Sequence, residues 1–189
     1  MLKPDFILVK TSDGSDTLFS DTMNESYHSV NGAIQESMHV FISNGLEKII
    51  EAPENDIDTA ESLIKTHTPV NILEISFGTG LNCLLTWIEA KKRNLCVNYE
   101  TIEAFHLSKE ITDSLNYGKI IDESYQETFL SIHDCNWGDW IYIELHAPEL
   151  NQLNVEQRGM RSPEFTSFVF FYHLTRDAKA EGVIRQVSS

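Results

Sequence analysis

The chain has 189 residues, 41% of them hydrophobic and 10% aromatic, which is material for one packed domain, or a domain with a small appendage, and excludes a disordered chain. Its 14 basic residues stand against 29 acidic ones, and a net charge of −15 repels phosphate backbones and anionic lipid at long range. That argues against a broad basic docking face and leaves room for a local basic patch. Cys83, Cys96 and Cys135 are widely spaced and form no CxxC pair, so they read as reduced thiols. No apolar run reaches the length of a membrane span, and the first residues lack the apolar stretch of a signal peptide. The expectation is a soluble, cytoplasmic globular protein with no membrane association.

Phe6-Ile7-Leu8-Val9 suits a strand, Asp13-Gly14 a tight turn, and Thr17-Leu18-Phe19 the returning strand, so residues 6–20 are predicted to form a β-hairpin. Ile34, Met38, Phe41 and Ile42 recur at helical spacing over 32–43, with Asn44-Gly45 as the expected stop. A second helix is predicted on Ile57, Ala60, Leu63 and Ile64, ending before Pro69. Val70 to Ile75 then reads as a strand, Ser76 to Gly80 as a glycine turn, and Leu81, Leu84, Leu85 and Ile88 as one stripe of a helix. Glu89 and Arg93 are placed for a helical ion pair. Val97 to Glu103 is the next strand, and Ser108 caps a helix expected to stop near Gly118. Strand, glycine turn, helix, strand makes a βαβ unit and predicts a parallel sheet. Trp140 to Ile143 and Phe168 to Tyr172 are strand candidates, and Gln152 to Pro163 between them is polar and unpatterned.

The turn after the first strand of the βαβ unit carries the chemistry. Gly78 and Gly80, flanking Thr79, let a ligand approach the backbone, and the helix that follows presents N–H groups to it. Glu103 ends the second strand 23 residues after Gly80, near the spacing at which a carboxylate accepts hydrogen bonds from a ribose diol. Together they make a nucleoside-cofactor signal. A dinucleotide fingerprint would have a third glycine where Cys83 stands. Glu74, inside the first strand, can accept a hydrogen bond from an amine-bearing ligand. Both features favour S-adenosylmethionine over NAD. The competing structural reading is a plain strand–turn–helix with Glu103 at a solvated strand end.

Several motifs resemble, in order, those of the tRNA 5-methylaminomethyl-2-thiouridine methyltransferases, a family that uses S-adenosylmethionine. Thr11 to Leu18, Glu25-Ser26-Tyr27-His28-Ser29, Gly32 to Ser37 and His39 to Ile42 resemble its N-terminal signature. Ile72 to Asn82 is similar to its cofactor loop, Ile102-Glu103-Ala104 to its ribose-binding strand end, and Ile132-His133 and Trp137 also fit. The resemblance is dense from about residue 10 to residue 140. It implies an α/β fold with a Rossmann-like methyltransferase sheet, preceded by an N-terminal β-hairpin and helix. It divides the chain into an extension, 1–68, that packs on the cofactor site, and a methyltransferase domain, 69–189. The implied reaction is methyl transfer from S-adenosylmethionine to the aminomethyl nitrogen of a tRNA wobble uridine. The implied cofactor residues are Glu74, Ser76, Gly78, Thr79, Gly80, Asn82 and Glu103, with Tyr27 and His28 beside them as catalytic candidates. From the residues alone, His28 is an ordinary polar residue before a helix.

The chain departs from this family in two places. Ser76 stands where the cofactor loop has its first glycine. Ile141 to Glu149 can be laid against the family's acceptor-side Asp-Ala-Phe-Ala-Pro segment, which makes Glu144 the third catalytic candidate and puts His146 in place of the phenylalanine. The strand before that segment and the closing basic segment are not found, although 178–185 faintly resembles a late element. The sheet is therefore expected to be incomplete and divergent from about residue 141. Two rivals stand: a relative that binds S-adenosylmethionine with impaired transfer, and a nucleotide-binding oxidoreductase. No metal site is expected, because His133-Asp134-Cys135 suits a loop better than a tetrahedral centre. Trp137 and Trp140 could stack a base or pack in the core. Lys91-Lys92-Arg93 reads as a solvated helix end.

Overall fold

The computed structural model describes residues 5–50, 69–103, 106–134, 141–145, 153–156 and 169–172, the last three segments as paired backbone. The predicted hairpin is present: β1 (Phe6–Lys10) pairs antiparallel with β2 (Asp16–Ser20), in a register that sets Lys10 opposite Asp16. A short third strand, β3 (Glu25–Ser26), joins β2; two residues carry no periodicity by which to predict it.

The turn between β1 and β2 is tied to the helix that follows. Asp13 accepts hydrogen bonds from the Ser15 amide at 2.9 Å, the Thr11 hydroxyl at 2.8 Å and the Ser15 hydroxyl at 2.5 Å. Its other oxygen accepts from the Gln35 amide at 3.0 Å, in the first turn of α1 (Ala33–Ser37). The predicted stop at Asn44-Gly45 is absent. Helix α1 runs on as a wide, π-helical segment, Met38–Leu46, and then as α2 (Glu47–Ile50). Leu46 and Ile50 lie in the core, so packing of the apolar face outweighs the local preference of glycine to end a helix. The Asn44 side chain turns back to the His39 carbonyl at 2.6 Å rather than capping an end.

A second sheet has five strands. The expected βαβ unit is its centre: β4 (Val70–Ile75), α3 (Leu81–Arg93) and β5 (Val97–Ile102), with the two strands parallel. Strand β8 (Val169–Tyr172) lies parallel on the other side of β4. Beyond β5 the sheet turns antiparallel through β6 (Ile141–Leu145) and β7 (Leu153–Glu156). The few residues between β6 and β7 are too short for a helical crossover, so these strands pair as a hairpin. The architecture is therefore mixed α/β. The Rossmann-like pattern is seen in β4–α3–β5 and not across the whole sheet. Leu153 to Glu156 also places a strand inside the stretch expected to be unpatterned.

Helix α3 is buried from Leu81 to Ala90 on every side, not along a single stripe. Its basic end is engaged within the protein. Lys92 pairs with Glu89 at 2.6 Å, Arg93 with Glu47 at 2.5 Å and Glu89 at 3.5 Å, and Lys91 lies over the Trp87 ring at 5.0 Å. The single helix expected from Ser108 to Gly118 is two, α4 (Lys109–Ser114) and α5 (Tyr117–Ile121). The break falls at Asn116, whose side chain accepts from the Asp16 amide at 2.9 Å and donates to the Gly14 carbonyl at 3.0 Å. A one-turn 3-10 segment, Glu123–Tyr125, leads into α6 (Gln126–His133), which puts Phe129 and Ile132 in the core. The predicted helix around Ile57 to Ile64 lies outside the described residues, as do Cys135, Trp137, Trp140, His146 and 178–185.

Candidate functional site

The loop of residues 76–80 turns out of β4 and into α3. The Ser76 amide donates to the Ile102 carbonyl at 2.8 Å, which extends the β4–β5 pairing by one step. The chain then needs left-handed backbone at Ser76 (φ 73°), Gly78 (φ 57°) and Gly80 (φ 74°). Serine adopts that region at a cost glycine does not carry. A Cβ on Gly78 would lie 2.7 Å from the Tyr27 ring, and one on Gly80 would lie 2.8 Å from His133 Nε2. Side chains thus press on both glycines where the backbone bends. The Gly80 amide donates to the Phe77 carbonyl at 3.0 Å, and the Gly80 carbonyl accepts from Leu84 as α3 begins.

Glu103 comes to the loop as its spacing suggested. The Gly78 amide donates to Glu103 Oε2 at 2.7 Å, and Glu103 is buried. That geometry opposes a solvated strand end. Tyr27 lies against Gly78 and is held edge-on by Phe6 at 5.4 Å. Burial, with the Glu103 charge adding to it, pushes the Tyr27 hydroxyl above the ordinary phenol range. His28 is buried, not a surface cap, and its Nε2 shares a hydrogen bond with the Thr79 hydroxyl at 2.9 Å. Its amide donates to the Thr17 hydroxyl at 2.9 Å, and its Nδ1 stands 3.8 Å from Glu36.

Glu74 lies deeper and is 2% exposed. Asn82 Nδ2 donates to one carboxyl oxygen at 2.9 Å and the Tyr99 hydroxyl to the other at 2.8 Å. Burial raises its pKa to about 8; the two donors oppose the rise and the nearby Glu103 charge adds to it. Both oxygens are thus engaged by protein groups, and Glu74 fixes Asn82, at the start of α3, under the loop. Cys83, where a third glycine would stand, is fully buried in the core.

His133, at the end of α6, was outside the candidate set. Its Nε2 stands 3.1 Å from the Thr79 carbonyl, and its ring packs edge-on against Phe77 at 5.4 Å and Phe129 at 5.1 Å. Burial pushes its pKa down to about 4, partly opposed by the bond to Thr79. The available signal was the motif match at Ile132-His133; no periodicity had placed a helix there. Glu144 is not brought to this loop. In β6 it pairs opposite Asn98, near the start of β5, with Glu103 just beyond the other end. Five residues of strand separate those positions by about 16 Å. The antiparallel course of β6 is the reason.

Among the described residues, no three His, Cys, Asp or Glu side chains gather where they could hold a metal ion. Among them, too, no helix is long and apolar enough to cross a membrane.

These features define an α/β protein in which a glycine loop between parallel strands meets a buried acidic strand end. Comparison with known proteins gives its relatives. The chain is 31% identical, over 121 residues, to the tRNA 5-methylaminomethyl-2-thiouridine biosynthesis bifunctional protein MnmC of Leptospira borgpetersenii serovar Hardjo-bovis, a match covering 62% of this chain and 17% of that protein. It is 31% identical over 94 residues to the MnmC of Idiomarina loihiensis, covering 48% of this chain and 14% of that one. The resemblance carried by the motifs is thus a similarity to MnmC proteins, and the matched region spans about 17% of the length of the first of them. A crystal structure of MnmC2 from Aquifex aeolicus aligns over 72% of this chain and 40% of its own, with a TM-score of 0.48 and 25% identity. No family model matches the chain.

Proposed function

We propose that the chain is an S-adenosylmethionine-dependent methyltransferase acting on the aminomethyl group of a modified wobble uridine in tRNA, and that it works in the cytoplasm. One observation carries the cofactor part: the Gly78 amide bonded to Glu103 at 2.7 Å, which unites glycine loop and acidic strand end. A carboxylate has about four lone-pair positions, so Glu103 can take ribose hydroxyls beside, or in place of, the Gly78 donor. Gly78, Thr79 and Gly80 shape the approach, and Asn82, held by Glu74, supports the start of α3. Cys83 in the core leaves no third glycine for a dinucleotide, which disfavours the oxidoreductase reading.

The bound cofactor would supply an electrophilic methyl group. The chain's own residues position the acceptor amine and hold the loop. Tyr27 lies over Gly78 and His28 holds Thr79, so we propose that the extension, residues 1–68, forms one wall of the site on the domain 69–189. The tRNA partner rests on the relatives' name. At a net charge of −15, binding it needs a local basic surface.

The test is calorimetry with S-adenosylmethionine and, separately, NAD. Binding of the first alone, weakened at least tenfold in Glu103→Ala, is the expected result, because charge-assisted hydrogen bonds contribute about 1.5–3 kcal/mol each. Unchanged affinity in that variant would place the ribose elsewhere. The register of Glu144 favours a second reading, a cofactor-binding relative with weak transfer. Turnover on tRNA bearing the aminomethyl precursor separates the two. A rate on the order of 1 per second would exclude the second reading.

A further inference from the structure

We propose that His133 is a positioning residue for the cofactor loop, acting through the carbonyl of Thr79; this rests on the cofactor reading above. Thr79 is 1% exposed and is gripped from two directions. His28, from the N-terminal extension, holds its hydroxyl at 2.9 Å, and His133, from α6, reaches its carbonyl at 3.1 Å. A carbonyl only accepts, so the proton sits on His133 Nε2, and burial keeps the ring neutral at physiological pH. The ring cannot swing away easily, because Phe77 and Phe129 pack against it. Its Nε2 would lie only 2.8 Å from a Cβ on Gly80, so a bare glycine at that position gives the ring room to make the contact.

The contact bears on binding because of what lies on either side of Thr79. The Gly78 amide, one residue before it, is the donor to Glu103, and the Gly80 amide, one residue after, closes the turn to Phe77. The Thr79 carbonyl shares a peptide plane with the Gly80 amide, so holding it fixes that amide directly, and the tight turn closed on Phe77 carries the restraint back to the Gly78 amide. A loop that must order itself on binding loses affinity to that ordering, and a pre-set loop does not. His133 therefore sets cofactor affinity without touching the cofactor.

The test separates the N–H from the ring. His133→Phe keeps aromatic packing and removes the donor; His133→Gln keeps a donor at similar reach and removes the ring. Amide hydrogen exchange is measured on the full chain without cofactor. In His133→Phe the Gly78 and Gly80 amides should exchange at least fivefold faster, with Leu85 and Ile88 of α3 unchanged. In His133→Gln all four should stay within twofold of the parent. If His133→Phe fails to fold, His133→Met replaces it with the same expectation. Loop amides that exchange alike in parent and donor-free variant would overturn the proposal, as would a Gln variant loosened as much as the Phe one. S-adenosylmethionine titration of the same proteins should show affinity weakened at least fivefold in His133→Phe and restored in His133→Gln. A parent that binds no S-adenosylmethionine would sink the cofactor reading, and the exchange rates would still decide whether His133 positions the loop.

Discussion

Asp13 in the hairpin turn and Glu74 in β4 are both carboxyl groups held by several donors, yet their acidities move in opposite directions. Partial burial pushes Asp13 up. The Ser15 hydroxyl, the Gln35 and Ser15 amides and the Thr11 hydroxyl together outweigh it, and its pKa falls to about 2. Burial also acts on Glu74, more strongly, and two donors do not offset it, so its pKa rises to about 8. The difference is water. Asp13 lies at the surface, where an ion stays solvated on one side; Glu74 is enclosed by the sheet and α3. Near neutral pH Asp13 is an anion that staples turn to helix, whereas Glu74 mostly carries a proton. Tyr99 can then turn its hydroxyl from donor to acceptor.

Several substitutions would break this contrast. The largest effect is expected in Glu74→Ala, which strands the Asn82 amide and Tyr99 hydroxyl in a dry interior and opens a cavity. A loss of about 3–5 kcal/mol in denaturant unfolding is expected. A loss under about 1 kcal/mol would mean that water fills the site. Asp13→Ala should cost about 1–2 kcal/mol, the usual effect of removing a helix cap, because an exposed group leaves fewer orphaned partners.

The pH dependence sharpens the contrast. Glu74 binds its proton more tightly folded than unfolded, so its contribution is complete below its ordinary value of 4.5 and is lost as pH rises toward about 8. Stability should slope downward over that window in the parent and lose that component in Glu74→Gln. Asp13 runs the other way. Its contribution is present above its ordinary 3.8 and is lost as pH falls toward about 2, a slope that Asp13→Ala should lack. The smallest effect is expected at Ser76. Ser76→Gly relieves a left-handed serine and adds unfolded-chain freedom, a net gain of about 0.5–1 kcal/mol. Lower stability in that variant would show that the serine side chain holds the turn.

Much of the loop region was legible because local signals agree there. Strand-forming runs at β4 and β5, helical spacing in α3, glycines between them and the distance to Glu103 all point to one arrangement. Where the outcome depended on distant partners, it was not legible. Nothing near Asn116 says that the hairpin claims its amide, so the break between α4 and α5 could not be read. The run past Asn44-Gly45 depends on core positions for Leu46 and Ile50. Strand β7 lies in a polar segment and follows from backbone pairing with β6. Matching Glu144 to a motif supplied its residue type, but the direction of β6 decides where it sits. His133 belongs to a motif in the sequence, and only the fold brings it to Thr79.

The bridge from Asn116 to Gly14 and Asp16 also governs the order in which the molecule can be assembled. The hairpin leaves the ribosome 100 residues before the side chain that ties it down. At ordinary synthesis rates that is a wait of about 5–20 s. The grip on Thr79 comes later still, since His133, 54 residues beyond Thr79, follows Asn116 in the chain. During that interval the early hairpin is a half-dressed edge with Ile7 and Leu8 uncovered, and those two remain exposed in the finished fold. Until the residues that follow Asn116 emerge, Leu18, buried in the finished fold, has no complete core to enter.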